Sequence, residues 1–288
     1  WQVFDALALR ASAGTTFRGP AQTALAPGSV TSLQDVLGTF RAVDIFGNPG
    51  LEPESATTYN VGLIVETGGF TGTVDLWQFD FKNPIISEPL GGMVSTLFPN
   101  GLAAPNNCGN PTFAALQARF TFNTSGCGGA NVIRVATNSV NGPAVKNSGL
   151  DVSGQYEWND VGGMDFTIGG SASYILDYSV DATSVAGVVV SRAFNAVDKL
   201  NYQTQVVPIP RWKGNAFFQF SSDRQNLRLG VTYIDDYVDQ RTAPYIATLA
   251  TNGTVIPGGK TVDAFITYDA VYRLNLTEAL AVTVAGEN

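Results

Sequence analysis

The stretch Gly163-Met-Asp-Phe-Thr-Ile-Gly-Gly-Ser-Ala-Ser-Tyr-Ile-Leu-Asp-Tyr178 has two kinds of side chain at alternate positions. One set is apolar or aromatic and comprises Met164, Phe166, Ile168, Ala172, Tyr174, Leu176 and Tyr178. The other set is polar, apart from Ile175, and comprises Asp165, Thr167, Ser171, Ser173 and Asp177. Because successive side chains of a β-strand point to opposite faces, the stretch predicts a strand with one apolar and one polar face.

The length of this strand indicates its environment. The alternation continues over residues 163–178, whereas strands of soluble domains average about 5 to 6 residues. A tilted strand needs about 9 to 11 residues to cross a bilayer, with an apolar outer band. The stretch is therefore typical of a strand in a membrane β-barrel.

The same alternation recurs in the second half of the chain. It is seen near residues 150–158, 211–220, 227–237 and 262–275. It is less regular in the segments 59–65 and 70–81, because Trp77, Phe79 and Phe81 interrupt the second of them. One binary rule followed by several segments indicates a repeated strand architecture rather than chance.

The connections between these segments alternate in length. Short ones, rich in Gly, Asp, Asn or Ser, are predicted at residues 66–69, 159–163, 221–226 and 276–278. Long ones are predicted near 14–54, 83–130, 181–205 and 241–260. An up-and-down barrel of an outer membrane has short periplasmic turns and long outer loops, so this alternation indicates such a barrel.

The predicted fold is all-β, an antiparallel up-and-down transmembrane β-barrel of about nine long strands. They are expected near residues 2–12, 55–66, 69–82, 131–158, 163–180, 206–222, 225–240, 260–276 and 279–288. Bacterial single-chain barrels have an even number of strands, and nine leave both sheet edges bare. We therefore expect a partial barrel or open curved sheet, a piece of something larger. No apolar run is long enough for a transmembrane helix.

Composition excludes several functional classes. The net charge is −8, which argues against nucleic acid as a partner. The chain has no histidine, so the common arrangements of nucleophile and base cannot be assembled, and we predict no enzyme, no cofactor and no metal site. Cys108 and Cys127 lie in one long connection and are expected to form a disulfide that stabilises an outer loop.

Short motifs in a fixed order span nearly the whole chain. They are Gly14-Thr-Thr-Phe-Arg-Gly-Pro20 after Arg10, Asn48-Pro-Gly-Leu-Glu-Pro-Glu54 before Ala56-Thr-Thr-Tyr59 and Gly62, Asp75-Leu-Trp-Gln-Phe-Asp-Phe81 before Asn83 and Ile85, Gly149-Leu-Asp151, Val207-Pro-Ile-Pro-Arg-Trp212, Tyr233-Ile-Asp-Asp-Tyr237 and Asp269. This ordered set resembles TonB-dependent outer-membrane receptors, in which Gly-Leu-Glu is usual where this chain has Gly149-Leu-Asp151.

The resemblance implies a 22-stranded barrel closed by a plug domain. Residues 1–288 are then expected to be a fragment of one barrel domain, approximately strands 13 to 21, without the plug, the TonB box or the last strand. Such receptors take up a ferric siderophore, cobalamin or a saccharide across the bacterial outer membrane. The implied partners are membrane lipid, a small nutrient, and the TonB complex acting through a plug and TonB box before Trp1.

Some loop side chains are candidates for contact with the nutrient. Arg18 and Arg41 lie in the first long connection, where they either pair with anionic ligand groups or with loop carboxylates, the more common arrangement. Phe46 and Tyr245 either stack on a ligand or pack the loops on themselves.

Aromatic residues at strand ends are expected to form the girdle that contacts lipid headgroups. Trp158 and Phe220 lie next to short turns, and Tyr178 and Tyr237 lie near the outer rim.

Two other functions share part of this pattern. A passive porin has the same alternation and loop asymmetry but needs fewer strands and lacks the Phe-Arg-x-Pro and Leu-x-Pro-Glu motifs. A secreted β-rich adhesin or sugar-binding module requires the apolar strand faces to pack against each other.

Overall fold

A computed structural model describes residues 1–201, 207–240, 245–246, 255–256 and 259–288. In chain order the strands are β1 (Gln2–Phe4), β2 (Leu7–Arg18), β3 (Ser29–Val36), β4 (Thr39–Phe46), β5 (Glu54–Thr67), β6 (Phe70–Lys82), β7 (Ile85–Ser87), β8 (Phe120–Phe122), β9 (Val132–Asn141), β10 (Val145–Trp158), β11 (Asp165–Val180), β12 (Thr183–Val185), β13 (Val188–Ser191), β14 (Phe194–Asn195), β15 (Trp212–Ser221), β16 (Gln225–Ile234), β17 (Tyr237–Val238), β18 (Tyr245–Ile246), β19 (Val255–Ile256), β20 (Thr261–Val262), β21 (Phe265–Thr277) and β22 (Leu280–Glu287). The short helices are α1 (Gln22–Leu25), α2 (Leu90–Leu97) and α3 (Ala114–Gln117), with 3₁₀ turns at Pro111–Phe113 and Gly129–Asn131.

The main sheet is an antiparallel meander. Its order is β1-β2-β5-β6-β10-β11-β15-β16-β21-β22, with β14 paired to the end of β11. Within the described residues the sheet is open, with β1 and β22 at its two edges. The predicted all-β, antiparallel up-and-down architecture is confirmed in the form of an open sheet.

The connections between the long strands are sorted by length. Tight connections, at residues 5–6, 68–69, 159–164, 222–224 and 278–279, all lie at one end of the strands. Long connections, at residues 19–53, 83–144, 181–211 and 235–264, begin and end at the opposite end of the strands. Because every strand of the meander is antiparallel to its neighbour, all long connections emerge at the same end of the strands, as predicted from the sequence.

The register of the strands produces an apolar face. Tyr156, Ile168, Phe218 and Leu229 are consecutive partners across β10, β11, β15 and β16. Ile168 is 50% exposed and Leu229 is 43% exposed, although both are large and apolar. An extended apolar surface of this kind marks contact with a partner or a membrane.

The opposite face is polar at the same level of the sheet. Thr73, Ser153, Ser171, Asn215 and Thr232 are consecutive partners across five neighbouring strands. The Thr73 and Ser153 hydroxyls lie 2.7 Å apart, and the Asn215 amide donates to the Ser171 hydroxyl at 3.0 Å. We call the two surfaces of the main sheet the apolar face and the polar face.

The first predicted strand, 2–12, is corrected to two strands. β1 and β2 form a hairpin around residues 5–6, where the polar Asp5 interrupts the run. β2 also continues to Arg18, because it pairs with β5 along its whole length, up to the pair of Arg18 with Glu54.

The predicted strand 131–158 is also corrected to two strands, which belong to different sheets. β9 and β10 are separated by Gly142, Pro143 and Ala144. Proline has no N–H for the ladder, which favours a break here. At Gly142 a side chain would overlap the end of Ile86 and approach the carbonyl of Pro84, so the turn also needs glycine for the close approach.

Three other predicted strands are shorter than expected. Segment 206–222 forms a strand only from Trp212, after Pro208 and Pro210, while residues 202–206 lie outside the described part. Segment 225–240 divides into β16 and β17, and segment 260–276 divides into β20 and β21. β17 and β20 pair with each other as a two-stranded ribbon beyond the main sheet.

Parts of the first three long connections fold into a compact body, which we call the loop module (β3, β4, residues 85–141 and the β12–β13 hairpin). Its sheet has the order β3-β4-β9-β7, with β8 also paired to β9. The pairing of β4 with β9 is parallel. The most deeply buried large side chains of the described chain are in this module and comprise Phe98, Met93, Leu97, Leu116, Val43, Val132, Val135 and Val185.

Among the described residues, no helix is long and apolar enough to span a membrane.

The apolar face gives a direct test of orientation. In the full-length protein, Ile168→Arg should destabilise the inserted barrel by about 2 to 4 kcal/mol, because it places a charge in the hydrocarbon layer. Thr167→Arg is the matched control: Thr167 lies on the polar face between Glu157 and Gln219. Denaturant titration of both variants in lipid measures the difference. Equal costs at the two positions would show that the faces are assigned incorrectly.

Candidate functional site

A hydrogen-bonded junction anchors the long connections to the strand ends. Arg18 Nε lies 2.7 Å from Glu54 Oε1, and the backbone N–H of Ile85 donates to Glu54 Oε2 at 3.1 Å. Asn141 donates to the carbonyls of Glu52 at 2.9 Å and Asn83 at 3.1 Å. Glu54 therefore ties the end of β2 to the start of the second long connection, and Asn141 ties that connection's two ends together.

A second motif pair lies on the polar face within the strands. Arg10 Nε donates to Asp75 Oδ1 at 2.7 Å, and a second guanidinium nitrogen contacts Asp75 Oδ2. Gly62 is the register partner of both residues, and a Cβ at Gly62 would overlap the Asp75 carboxylate. Glycine at this position therefore makes room for the ion pair to cross three strands.

The loop module has two internal ion pairs of its own. Arg134 Nη1 donates to Asp44 Oδ1 at 2.6 Å, and the Thr31 hydroxyl donates to the same carboxylate at 2.5 Å. Arg134, and then Thr31, hold the pKa of Asp44 below its ordinary value because they stabilise the charged carboxylate.

The second ion pair of the loop module is buried. Glu88 accepts from Arg119 Nη2 at 2.9 Å and from the backbone N–H of Asn138 at 2.8 Å. Only 7% of Glu88 is exposed, so these bonds compensate for the removal of its charge from water.

The end of the main sheet from which the long connections emerge is called its outer end. A cavity of about 840 Å³ lies between the loop module and this outer end. Three parts of the chain form its wall. The sheet contributes Val145, Tyr178 and Val180; the first two long connections contribute Gln34, Val43, Ile45, Pro84, Ile85, Ile86, Ser87, Glu88, Pro89, Leu90, Gly91, Thr137 and Pro143; the third contributes Thr183, Ser191, Phe194, Ala196, Asn201, Val207 and Ile209. This cavity is the candidate functional site.

A bulge brings Tyr178 into the cavity wall. The register between β10 and β11 shifts so that Ser148 pairs with Asp177 whereas Gly149 pairs with Ile175, leaving Leu176 as the extra residue. Beyond the bulge, the side-chain alternation is displaced by one position. Tyr178 therefore shares the polar face with its partner Asn147 and lines the cavity, instead of continuing the apolar row expected from the sequence.

The aromatic residues that interrupt the pattern of β6 lie beside the cavity. Trp77, Phe79 and Phe81 are register partners of Gly149, Asn147 and Val145, so they are on the polar face at the outer end of the sheet. The ring centroids of Trp77 and Phe79 are 5.4 Å apart, and those of Phe79 and Phe81 are 6.3 Å apart. The sequence showed these residues only as irregularities, and the register was needed to place them together.

Three of the four ligand-contact candidates named from the sequence, Arg18, Arg41 and Phe46, lie outside the cavity wall. Arg18 is paired with Glu54, and its side chain is largely exposed. Arg41 is on β4 opposite Gln34, and Phe46 is at the end of the same strand. The backbone of Tyr245 lies in β18, opposite Ile256.

The girdle candidates divide between two regions. Trp158 and Phe220 flank Phe166 on the apolar face near the tight turns. The ring of Trp158 lies 4.4 Å from that of Tyr156, and the ring of Phe220 lies 6.0 Å from that of Phe166. Tyr237 lies in β17, beyond the end of the main sheet.

Cys108 and Cys127 are joined by a disulfide and are partly buried against the core of the loop module. Across the part of the chain that the structure describes, no group of three or more His, Cys, Asp or Glu side chains is placed to hold a metal ion.

The Asp44 ion pair predicts a pH dependence of the loop module. A lowered pKa stabilises the fold at pH values above the ordinary value of 3.8, and this stabilisation is lost as the pH falls through the lower, folded-state pKa. The urea midpoint of the module, followed by the methyl NMR signal of the buried Met93, should therefore fall as the pH drops below about 4. Asp44→Asn should start from a lower midpoint and lose this part of the pH dependence. An unchanged pH profile in Asp44→Asn would contradict the assignment.

The disulfide predicts a second property of the module. Replacing both cysteines, Cys108→Ala with Cys127→Ala, should destabilise it by up to roughly 3 kcal/mol, because the unfolded connection gains conformational freedom. Hydrogen exchange of β9 amides should become faster, whereas exchange in β16 of the main sheet serves as the internal control. Unchanged exchange in β9 would show that the bridge adds nothing to the module.

Comparison with known proteins identifies the family of this chain. The sequence matches the family described as TonB dependent receptor-like, beta-barrel, over residues 1–288. A search of curated protein sequences gives no match.

Solved structures share the fold at low sequence identity. A mutant of the ferric enterobactin receptor PfeA from Pseudomonas aeruginosa is 15% identical with a TM-score of 0.58, and the match covers 99% of this chain and 33% of that one. The siderophore receptor PirA from Acinetobacter baumannii is 13% identical with a TM-score of 0.56, covering 99% and 35%. PirA from Pseudomonas aeruginosa is 12% identical with a TM-score of 0.54, covering 100% and 37%.

The chain thus spans about a third of the length of these receptors. The family match extends from the first residue to the last, and it agrees with the ordered motifs and the meander. The chain belongs to the TonB-dependent receptor-like β-barrel family.

Proposed function

We propose that this chain forms barrel wall and outer loops of a bacterial outer-membrane receptor that imports a scarce small nutrient by TonB-dependent transport. The observation that carries the proposal is the family match over residues 1–288. The likeness to receptors for ferric enterobactin and other siderophores supports it at the level of the fold. The sequence suggested approximately strands 13 to 21 of a 22-stranded barrel. Because the described meander has ten strands rather than nine, the chain corresponds, on this proposal, to ten consecutive strands of such a barrel.

The two faces of the sheet have distinct roles in this proposal. The apolar face contacts the hydrocarbon layer, with Trp158 and Phe220 at the headgroup level on the periplasmic side. The polar face lines the lumen, where a plug domain supplied by another part of the full-length protein is accommodated. Exposure of residues such as Ile168 and Leu229 supports lipid contact.

The loop module and its cavity are at the outer end, where an external ligand arrives first. The module has a buried core, a disulfide and internal ion pairs. These features favour a preorganised binding surface, which loses little conformational entropy when a ligand binds. The chain's role is to hold and admit the nutrient. Energy coupling comes from the TonB complex, acting through the plug and TonB box.

The alternatives predict different structures. An adhesin or sugar-binding sandwich needs a second layer over the apolar face, but Ile168, Phe218 and Leu229 of that face are exposed. A passive porin shares the meander, but its transport does not depend on energy from the inner membrane.

Energy dependence gives the test. Cells with the full-length receptor should accumulate or grow on a nutrient from a panel of ferric siderophores, cobalamin, saccharides and uncharged apolar compounds. Deleting the receptor gene should abolish this uptake, and deleting the gene for TonB should abolish it equally. Full uptake without TonB, with loss on receptor deletion, would instead identify a passive pore.

A further inference from the structure

We propose that the cavity beneath the loop module binds an uncharged, predominantly apolar ligand, and that it does not bind an anionic ferric complex. This assignment rests on the proposed function, because it names the class of nutrient that the receptor admits.

The charge of the cavity wall is the first argument. Within the described residues its wall contains no lysine or arginine, and its only carboxylate is Glu88. Both oxygens of that carboxylate already accept hydrogen bonds, from Arg119 and from the Asn138 N–H. An anionic ligand needs basic partners for charge-assisted hydrogen bonds, and this wall offers none.

Three arginines close to the wall are already in ion pairs. Arg18 is bound to Glu54, Arg134 to Asp44, and Arg211 to Asp198 with nitrogen–oxygen distances of 2.7, 2.6 and 2.8 Å. In sequence, residues 202–206 are uncharged, and residues 241–258 contain a single charged residue, Arg241. Recruiting one of the paired arginines to an anionic ligand would leave its carboxylate without its positively charged partner, at a cost in stability.

The chemistry of the wall is the second argument. Most of its side chains are aliphatic or aromatic, including Val43, Ile86, Val145 and Phe194. Its polar groups are hydroxyls and amides, such as those of Thr137, Thr183 and Gln34, and the Glu88 carboxylate. A volume of about 840 Å³ is within the range of roughly 300 to 1,000 Å³ for small-molecule sites, which are mostly apolar with a few polar groups that orient the ligand.

The neighbouring polar face extends the same chemistry inward. Phe81 is the register partner of the wall residue Val145, and Phe79 pairs with Asn147, the partner of the wall residue Tyr178. Trp77 follows on the same face, nearer the middle of the sheet. A Cβ at Gly149 would overlap the Trp77 ring, so glycine at this position leaves room for the ring beside β10. The ring faces add aromatic surface, which packs favourably with apolar groups, next to the cavity.

The test uses purified full-length receptor in detergent and the uncharged fluorescent dye N-phenylnaphthylamine. Thr183→Arg adds a charge to the cavity wall and should weaken dye binding by about tenfold or more, because an apolar ligand cannot compensate a buried charge. Ser184→Arg is the matched control, since Ser184 is the exposed neighbour of Thr183 and lies outside the wall. Ser191→Trp fills the cavity without adding charge, so it tests the site independently if Thr183→Arg does not fold. Circular dichroism checks the folding of all variants.

The expected result is a saturable fluorescence increase in wild type and Ser184→Arg, with a large loss in Thr183→Arg and Ser191→Trp. Ferric enterobactin should not displace the dye. Equal dye binding in all four proteins reflects the micelle alone and overturns the proposal. Absence of binding also overturns it, including the case in which another part of the full-length chain fills the cavity. Displacement by ferric enterobactin overturns the choice of an uncharged ligand.

These outcomes are separate from those of the transport test. Dye binding does not require TonB, so a receptor that binds the dye but transports without TonB retains the site and loses the proposed function. A receptor with TonB-dependent uptake that ignores the dye retains the proposed function and loses this site.

Discussion

In-register antiparallel pairing is the constraint on which the rest of the structure depends. In hydrocarbon every backbone N–H and C=O needs a partner within the protein, so neighbouring strands must stay paired along their whole membrane length. Continuous pairing also fixes which face each side chain occupies, because a slip of one residue exchanges the two faces. The rows from Tyr156 to Leu229 and from Thr73 to Thr232 keep apolar and polar chemistry separate across several strands. Trp77, Phe79 and Phe81 depart from that alternation at the end of the sheet where the long connections emerge. Phe217 and Ile64 also lie on the polar face, but within the strands.

The loop module follows a different principle from the sheet. A single-layered sheet has no interior of its own, so the deeply buried side chains, such as Met93, Leu97 and Phe98, are found in the module. The module is assembled from connections that are far apart in sequence: β4 pairs with β9, and Val185 and Val190 of the β12–β13 hairpin join the same core. It is tied to the strand ends by Glu54 and Asn141. The outer loops thus combine the stability of a small domain with a fixed position on the barrel wall, and the cavity is the space that remains between the two.

Features set by local sequence could be predicted, whereas features set by long-range packing could not. The alternation in β11 and the Gly- and Asn-rich turns predicted the meander and the sorting of its connections. The strand predicted over 131–158 failed because alternation alone does not show that Gly142 and Pro143 transfer the chain from one sheet to another. Lipid contact was expected for Tyr178 because the sequence does not show the bulge at Leu176. The bulge arises from the pairing of β11 with β10 and turns Tyr178 to the polar face. The cavity was beyond sequence reasoning because its wall comes from the sheet and three separate connections.

The motif residues and the cavity residues divide the chemistry of the molecule between them. Arg10, Arg18 and their carboxylates belong to the family motifs and are used to hold strands and loops together, as the Arg10–Asp75 and Arg18–Glu54 pairs demonstrate. Motifs of this kind identify the barrel and carry no information about the ligand, because their charged groups are already neutralised. The wall of the cavity lies largely outside those motifs. Most of its side chains are aliphatic or aromatic, and both oxygens of its carboxylate, Glu88, already accept hydrogen bonds. Next to the cavity, Trp77, Phe79 and Phe81 place aromatic side chains on the otherwise largely polar face. The aromatic cluster and the cavity next to it together favour contact with an apolar molecule.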